Sequence, residues 1–140
     1  MIDPTLALQT LIGDLLAADP AITAHVDPLN IRASSIRPDN TPAIILAPAR
    51  VQILGHASGG QVVAEVRAML HIWAVEDGST VAQSVASAVL AALIDAPRAE
   101  GFAIDRWERP ELVWGRDPDP ARAYTQGTVA LRAVLRWRAD

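Results

Sequence analysis

The chain has 140 residues, no cysteine, twelve basic residues that are all arginine, and a formal net charge of −4. That size suits one hydrophobic core, a single domain over residues 1–140, and folding without covalent staples. The absence of cysteine and lysine excludes disulfides, thiolate metal sites, cysteine nucleophiles, Schiff bases and phosphate-loop lysines, and the acidic balance gives no basic footprint for gripping nucleic acid.

The first residues, Met1-Ile2-Asp3-Pro4, lack the basic start and apolar run of a signal peptide. Thr5 is the expected N-cap of a first helix. Leu8, Leu11, Ile12, Leu15 and Leu16 recur along it at helical spacing. Asp19-Pro20 ends that helix, because the residue before a proline is pushed out of the α region. A short turn over residues 22–26 and a weak strand over 29–36 follow, closed by a turn over 37–42 rich in Pro, Asp and Asn. Residues 43–47 read as a strand buried on both faces, which either stops at Pro48 or continues past a bulge into 50–54.

Residues 55–60, Gly55-His56-Ala57-Ser58-Gly59-Gly60, are a flexible tip leading into the strongest strand, 62–75. In that strand Val62, Ala64, Val66, Ala68, Leu70, Ile72 and Ala74 fall on one face, with Glu65, Arg67 and His71 on the other. Its length, about 45 Å at 3.3 Å per residue, predicts a β-hairpin arm projecting from the body. Residues 76–78 turn the chain, and Ser79 caps a helix running to about Asp95, with Val81, Val85, Val89, Ala92 and Leu93 as its apolar stripe. Strand pieces over 102–108 and 111–114 are interrupted at Pro110, a loop covers 115–122, and 124–138 alternates again. The order predicts an α+β fold: a mostly antiparallel sheet with two main helices on one face. The longest apolar run, 85–94, is about half of what crossing a bilayer requires, so no membrane is expected.

Residues for catalysis are not assembled. His25, His56 and His71 lack histidine or carboxylate neighbours at ligand spacing, the serines lack a nucleophile-elbow context, and Gly55-x-x-x-Gly59-Gly60 leads into a strand rather than a helix. Asp117 and Asp119 are each followed by proline, which suits a rigid solvated loop better than a calcium loop. The expectation is a protein that is not an enzyme and has no cofactor and no metal.

Surface chemistry is richer. Trp107 and Trp114 flank the charged segment Glu108-Arg109-Pro110-Glu111, and Trp and Arg are the types enriched at interface hot spots. Each is read equally as core filling or as contact, whereas Trp73 and Trp137 are read as core. Arg132, Arg136 and Arg138 alternate along the last strand and share one face, wet or paired with a partner's carboxylates. With the tip residues Gly55, His56, Ser58, Gly59 and Gly60, they make up the candidate interface.

The ordered pattern resembles one family. It comprises the first helix ending Leu15-Leu16-Ala17-Ala18-Asp19-Pro20, then Pro42-Ala43-Ile44-Ile45, then Leu70-His71-Ile72-Trp73. The Asp77-Gly78 turn, the helix through Val89-Leu90-Ala91-Ala92-Leu93, Asp117-Pro118-Asp119 and a last strand over 127–137 complete it. This is similar to the tail-terminator (tail-completion) family of long-tailed phages and phage-like gene transfer agents. Pro48-Ala49-Arg50, interrupting the second strand region, is a departure.

The resemblance implies a homo-hexameric ring that caps the tail tube and docks to the head–tail connector, in a particle assembled in the bacterial cytoplasm. It implies partners in the tail tube protein, the connector or stopper protein, and other copies of this chain. DNA would pass through without specific binding, and Asp77, Asp117 and Asp119 are the candidate acids of the channel wall. A neck stopper protein of the same kind of particle is the nearest alternative. A small-ligand binding or regulatory domain, using a cleft between sheet and helices, is the alternative from another class.

Overall fold

The computed structural model describes residues 2–33, 38, 40–75, 80–116 and 124–139. Three Asp-Pro steps organise its first thirty residues. Helix α1 spans Pro4–Ala17, helix α2 Pro20–Thr23, and a 3₁₀ turn Pro28–Asn30. In each the aspartate stands at the N-cap and the proline at the first helical position, where its missing N–H costs nothing. Asp3, not Thr5, therefore caps α1. Its Oδ1 accepts from the Leu6 backbone N–H at 3.1 Å, and Pro4 sets the helical φ one residue before Thr5.

Six strands form one sheet: β1 (Ile31–Ala33), β2 (Ala43–Ala57), β3 (Gln61–Val75), β4 (Ala103–Trp107), β5 (Glu111–Arg116) and β6 (Tyr124–Arg138). Their order is β1-β2-β3-β6-β4, and β5 joins the same side of β6 as β4. Only β1 with β2 is parallel; every other pair is antiparallel. β2 runs on past Pro48, with register shifts between Pro48 and Arg50 and between Ile53 and Gly55. A bulge absorbs the proline, which has no N–H for a ladder. The pieces β4 and β5 lie end to end along β6, divided around Pro110 as the sequence predicts.

The long hairpin of β2 and β3 is present, but it is not two strands alone. β6 pairs with β3 from Gln61 through Val75, so three strands of fifteen residues each reach the two ends of the sheet together.

One face is covered by α1 and α3 (Thr80–Ala92). Leu8, Ile12 and Leu16, one per turn of α1, meet the alternate residues Val62 to Ile72 of β3 and Val129 to Trp137 of β6 in one core. Burying each large aliphatic side chain there contributes about 1.5–3 kcal/mol. In α3 the buried line is Ala82, Val85, Ala86 and Val89, while Val81 is exposed. The small alanines, rather than the first valine, let the helix approach the sheet. Trp73 and Trp137 are both buried.

Candidate assembly surface

The second face of the sheet carries no helix among the described residues, and it is organised by charge. Strand register places Arg50 of β2 beside Arg67 of β3, and Arg67 beside Arg132 of β6. Like charges directly opposite repel. Glu65, two residues along β3, resolves the conflict between the last two: its Oε1 accepts from Arg67 Nε at 2.9 Å and its Oε2 from Arg132 Nη2 at 2.8 Å. Those two hydrogen bonds, that from Arg132 first, hold the Glu65 carboxyl below its ordinary pKa. Arg132 also reaches Glu108 at 3.3 Å, and its own pKa is raised, mainly by its bond to Glu65.

Arg136 lies farther along the same face. Its Nε and Nη2 bind the Asp105 carboxylate at 3.0–3.2 Å, and its Nη1 donates to Gln61 Oε1 at 2.9 Å. Asp105 gains this reach from the register shift between Ile104 and Arg106 in β4. At the other end of the face, His71 is half-buried. Gln126 Nε2 stands 3.1 Å and Thr128 Oγ1 3.3 Å from its Nδ1. Burial lowers the His71 pKa.

The candidate residues therefore separate into four groups. Arg132 and Arg136 share one face, as alternation predicts, and each finds a carboxylate within its own chain; Arg138, at the end of the same strand, is exposed. Trp107 packs against the core, and its indole Nε1–H donates to the Leu93 carbonyl at 2.9 Å, so it fastens β4 to the end of α3. Trp114 is 42% exposed at the outer edge of the sheet, over Gly127. The tip is a three-residue turn, with Gly59 and Gly60 at φ of 79° and 73°, a conformation that favours glycine. His56 and Ser58 are exposed beside them, Gly55 marks the second register shift of β2, and Gly60 O accepts from the Ala139 N–H. Asp77, Asp117 and Asp119 lie outside the described residues.

Sequence reading missed Asp105 and Glu108 as partners of the arginines, because only the pairing of β4 with β6 brings them within reach. It also missed a second feature. Val51, Ile53 and Leu54 on β2, and Val113 on β5, are 40%, 56%, 52% and 60% exposed. Nothing in the alternation of these residues marks their strands as edges.

Among the described residues no three histidine, aspartate or glutamate side chains gather as a metal would require. The space between helices and sheet is filled by the core side chains. One open groove runs outside it, along α1 from Ala7 to Asp14 against residues 98–102.

Comparison with known proteins agrees with this architecture. No curated protein matches the chain. A chain in a solved structure described as the virion of a native gene transfer agent particle superposes with a TM-score of 0.66. It covers 97% of this chain and 99% of its own length at 15% identity, which speaks for a shared fold. The model of the family described as "Tail completion protein gp17" matches residues 10–136. That span takes in the second half of α1, all of α3 and nearly all of the sheet, and the chain belongs to this tail completion family.

Proposed function

We propose that this chain is one subunit of a homo-hexameric ring that ends the tail tube and joins it to the head connector. The observation that carries the reading is the family match from residue 10 to residue 136, which spans the fold rather than a fragment of it. Consistent with a building block, the chain's organised chemistry lies on an open sheet face and at strand edges rather than in an enclosed site. The ring is built in the bacterial cytoplasm and remains in the neck of the finished particle. Its immediate partners are the tail tube protein on one side and the connector or stopper protein on the other. DNA passes through, with Asp77, Asp117 and Asp119 as the acids that keep the wall non-adhesive.

Imaging of particles with this chain labelled tests the reading. Six-fold density between tube and connector is expected, together with unjoined heads and tails when the gene is removed. Density of another symmetry, or joined particles without the protein, would sink it.

A further inference from the structure

Among the described residues both edges of the sheet are open. β1 covers β2 only at Ile44, Ile45 and Leu46; from Arg50 to Ala57 no backbone bond among the described residues reaches the outer side of β2. On the opposite edge, β4 and β5 pair with β6 and leave their outer sides unpaired among the described residues. Both edges expose apolar side chains: Val51, Ile53 and Leu54 on one, Val113 and Trp114 on the other. Such an edge is a template for another strand. Pro48 and the two register shifts shorten the template and leave a regular stretch over 50–53.

We propose that this free stretch of β2 pairs with the outer edge of β5 in a second copy of the chain. Successive copies then join head to tail into one continuous sheet, an inference that rests on the ring reading above. The two edges are complementary. With Gln52 opposite Val113, antiparallel pairing sets Val51 against Trp114 and Ile53 against Leu112. Val51 and Ile53 stand beside the core-facing Val66 and Ala64, and Trp114 and Leu112 beside the core-facing Gly127 and Val129. All four therefore lie on the helix-covered side, and a slip of one residue would turn one set to the wrong face.

The ladders also fix how the copies are staggered. Trp114 is level with Ile44, through Gly127 and Ile72, whereas Val51 is level with Val66. The next copy is thus displaced along the strands by the six residues from Val66 to Ile72, about 20 Å at 3.3 Å per residue. Crossing β2, β3, β6 and β5 takes about 19 Å at 4.8 Å per strand. The strands then tilt by about 45°, at the upper end of the range that closed sheets adopt. Pairing without displacement is blocked, because β5 of the next copy would fall where β1 lies. A contact between two different surfaces repeats from copy to copy, and it gives a ring where the rotation between copies closes.

The chain has no cysteine, so any disulfide would be an introduced one. Opposed Cα atoms in an antiparallel pair lie about 4.5–5.5 Å apart, within the range a disulfide spans. In assembled particles, Gln52→Cys with Val113→Cys should give, on oxidation, a covalent ladder ending at six chains, and either single variant only monomer. A ladder of another length keeps the edge pairing and removes the six-fold ring. Six-fold density without cross-links removes the edge pairing and keeps the ring. Val51→Arg, at an exposed site set against Trp114 of the next copy, should keep the melting temperature of the free protein and reduce completed particles about tenfold or more by placing a charge in an apolar contact. An unchanged particle yield would overturn the pairing.

Discussion

Single side chains on the open face respond to pH in two separate windows. The Gln126 amide nitrogen, 3.1 Å from His71 Nδ1, suits an Nδ1 that accepts in the neutral ring. Burial lowers the pKa of His71 in the folded chain, so as the pH falls below about 6.5 the unfolded chain takes up the proton first. Stability should therefore drop between neutrality and mildly acidic pH, and His71→Gln should flatten that drop in thermal melts. Glu65 acts at lower pH. Its pKa is depressed by Arg132 and then Arg67, so its contribution is complete above the ordinary carboxylate pKa and fades as the pH falls through the depressed one. Glu65→Gln should remove that acid-side loss and lower stability at neutral pH, leaving Arg67 and Arg132 opposed. Gly127 is limited by space. A Cβ there would meet Trp114 Cζ3 at 3.0 Å and Leu112 Cδ1 at 3.2 Å. Gly127→Ala should cost about 1–3 kcal/mol in denaturant melts, the scale of an overpacked site. It should also raise Trp114 fluorescence exposure as the ring is displaced.

At the scale of elements, what was legible in the sequence follows from periodicity. Val62 to Ala74 and Val129 to Trp137 alternate because one face of each strand is buried and the other is not, and both strands were readable almost to the residue. The break at Pro110 and an interruption at Pro48, either a strand end or a bulge, were readable because proline cannot bond in a ladder. What stayed hidden depends on which strands become neighbours. Trp107 reads equally as core or contact until β4 pairs with β6 and brings its indole under Leu93. Arg136 looks unpartnered until the same pairing delivers Asp105. The over-long strand pointed to a projecting arm, but length alone does not reveal that β6 is equally long and runs beside it. Removing Ala57–Gly60 tests what the turn contributes. The expectation is a folded domain, with only the Gly60–Ala139 bond lost from outside the hairpin, and impaired joining of tail to head. Global unfolding on circular dichroism would instead make the tip part of the core.

For the whole molecule, the charge balance leads to a prediction about DNA. The chain is net negative, and Arg67, Arg132 and Arg136, the most organised of its arginines, are bound to Glu65, Glu108 and Asp105. Cations already held by carboxylates release few counterions from phosphate, so salt-dependent affinity should be weak. A duplex titration near physiological salt should show no submicromolar binding; tight, salt-sensitive binding would contradict a wall past which DNA slides.

The three equal strands β2, β3 and β6 carry a mechanical consequence. β3 is laddered by β6 over its full fifteen residues and by β2 from Gln61 to Trp73. A pull along the strand direction loads these rungs in shear, many at once, whereas a pull across the sheet would peel them one by one. The domain should therefore be stiff along β3 and weak across it. Single-molecule stretching from attachment points at the two ends of β3 should require far more force than stretching between β2 and β6.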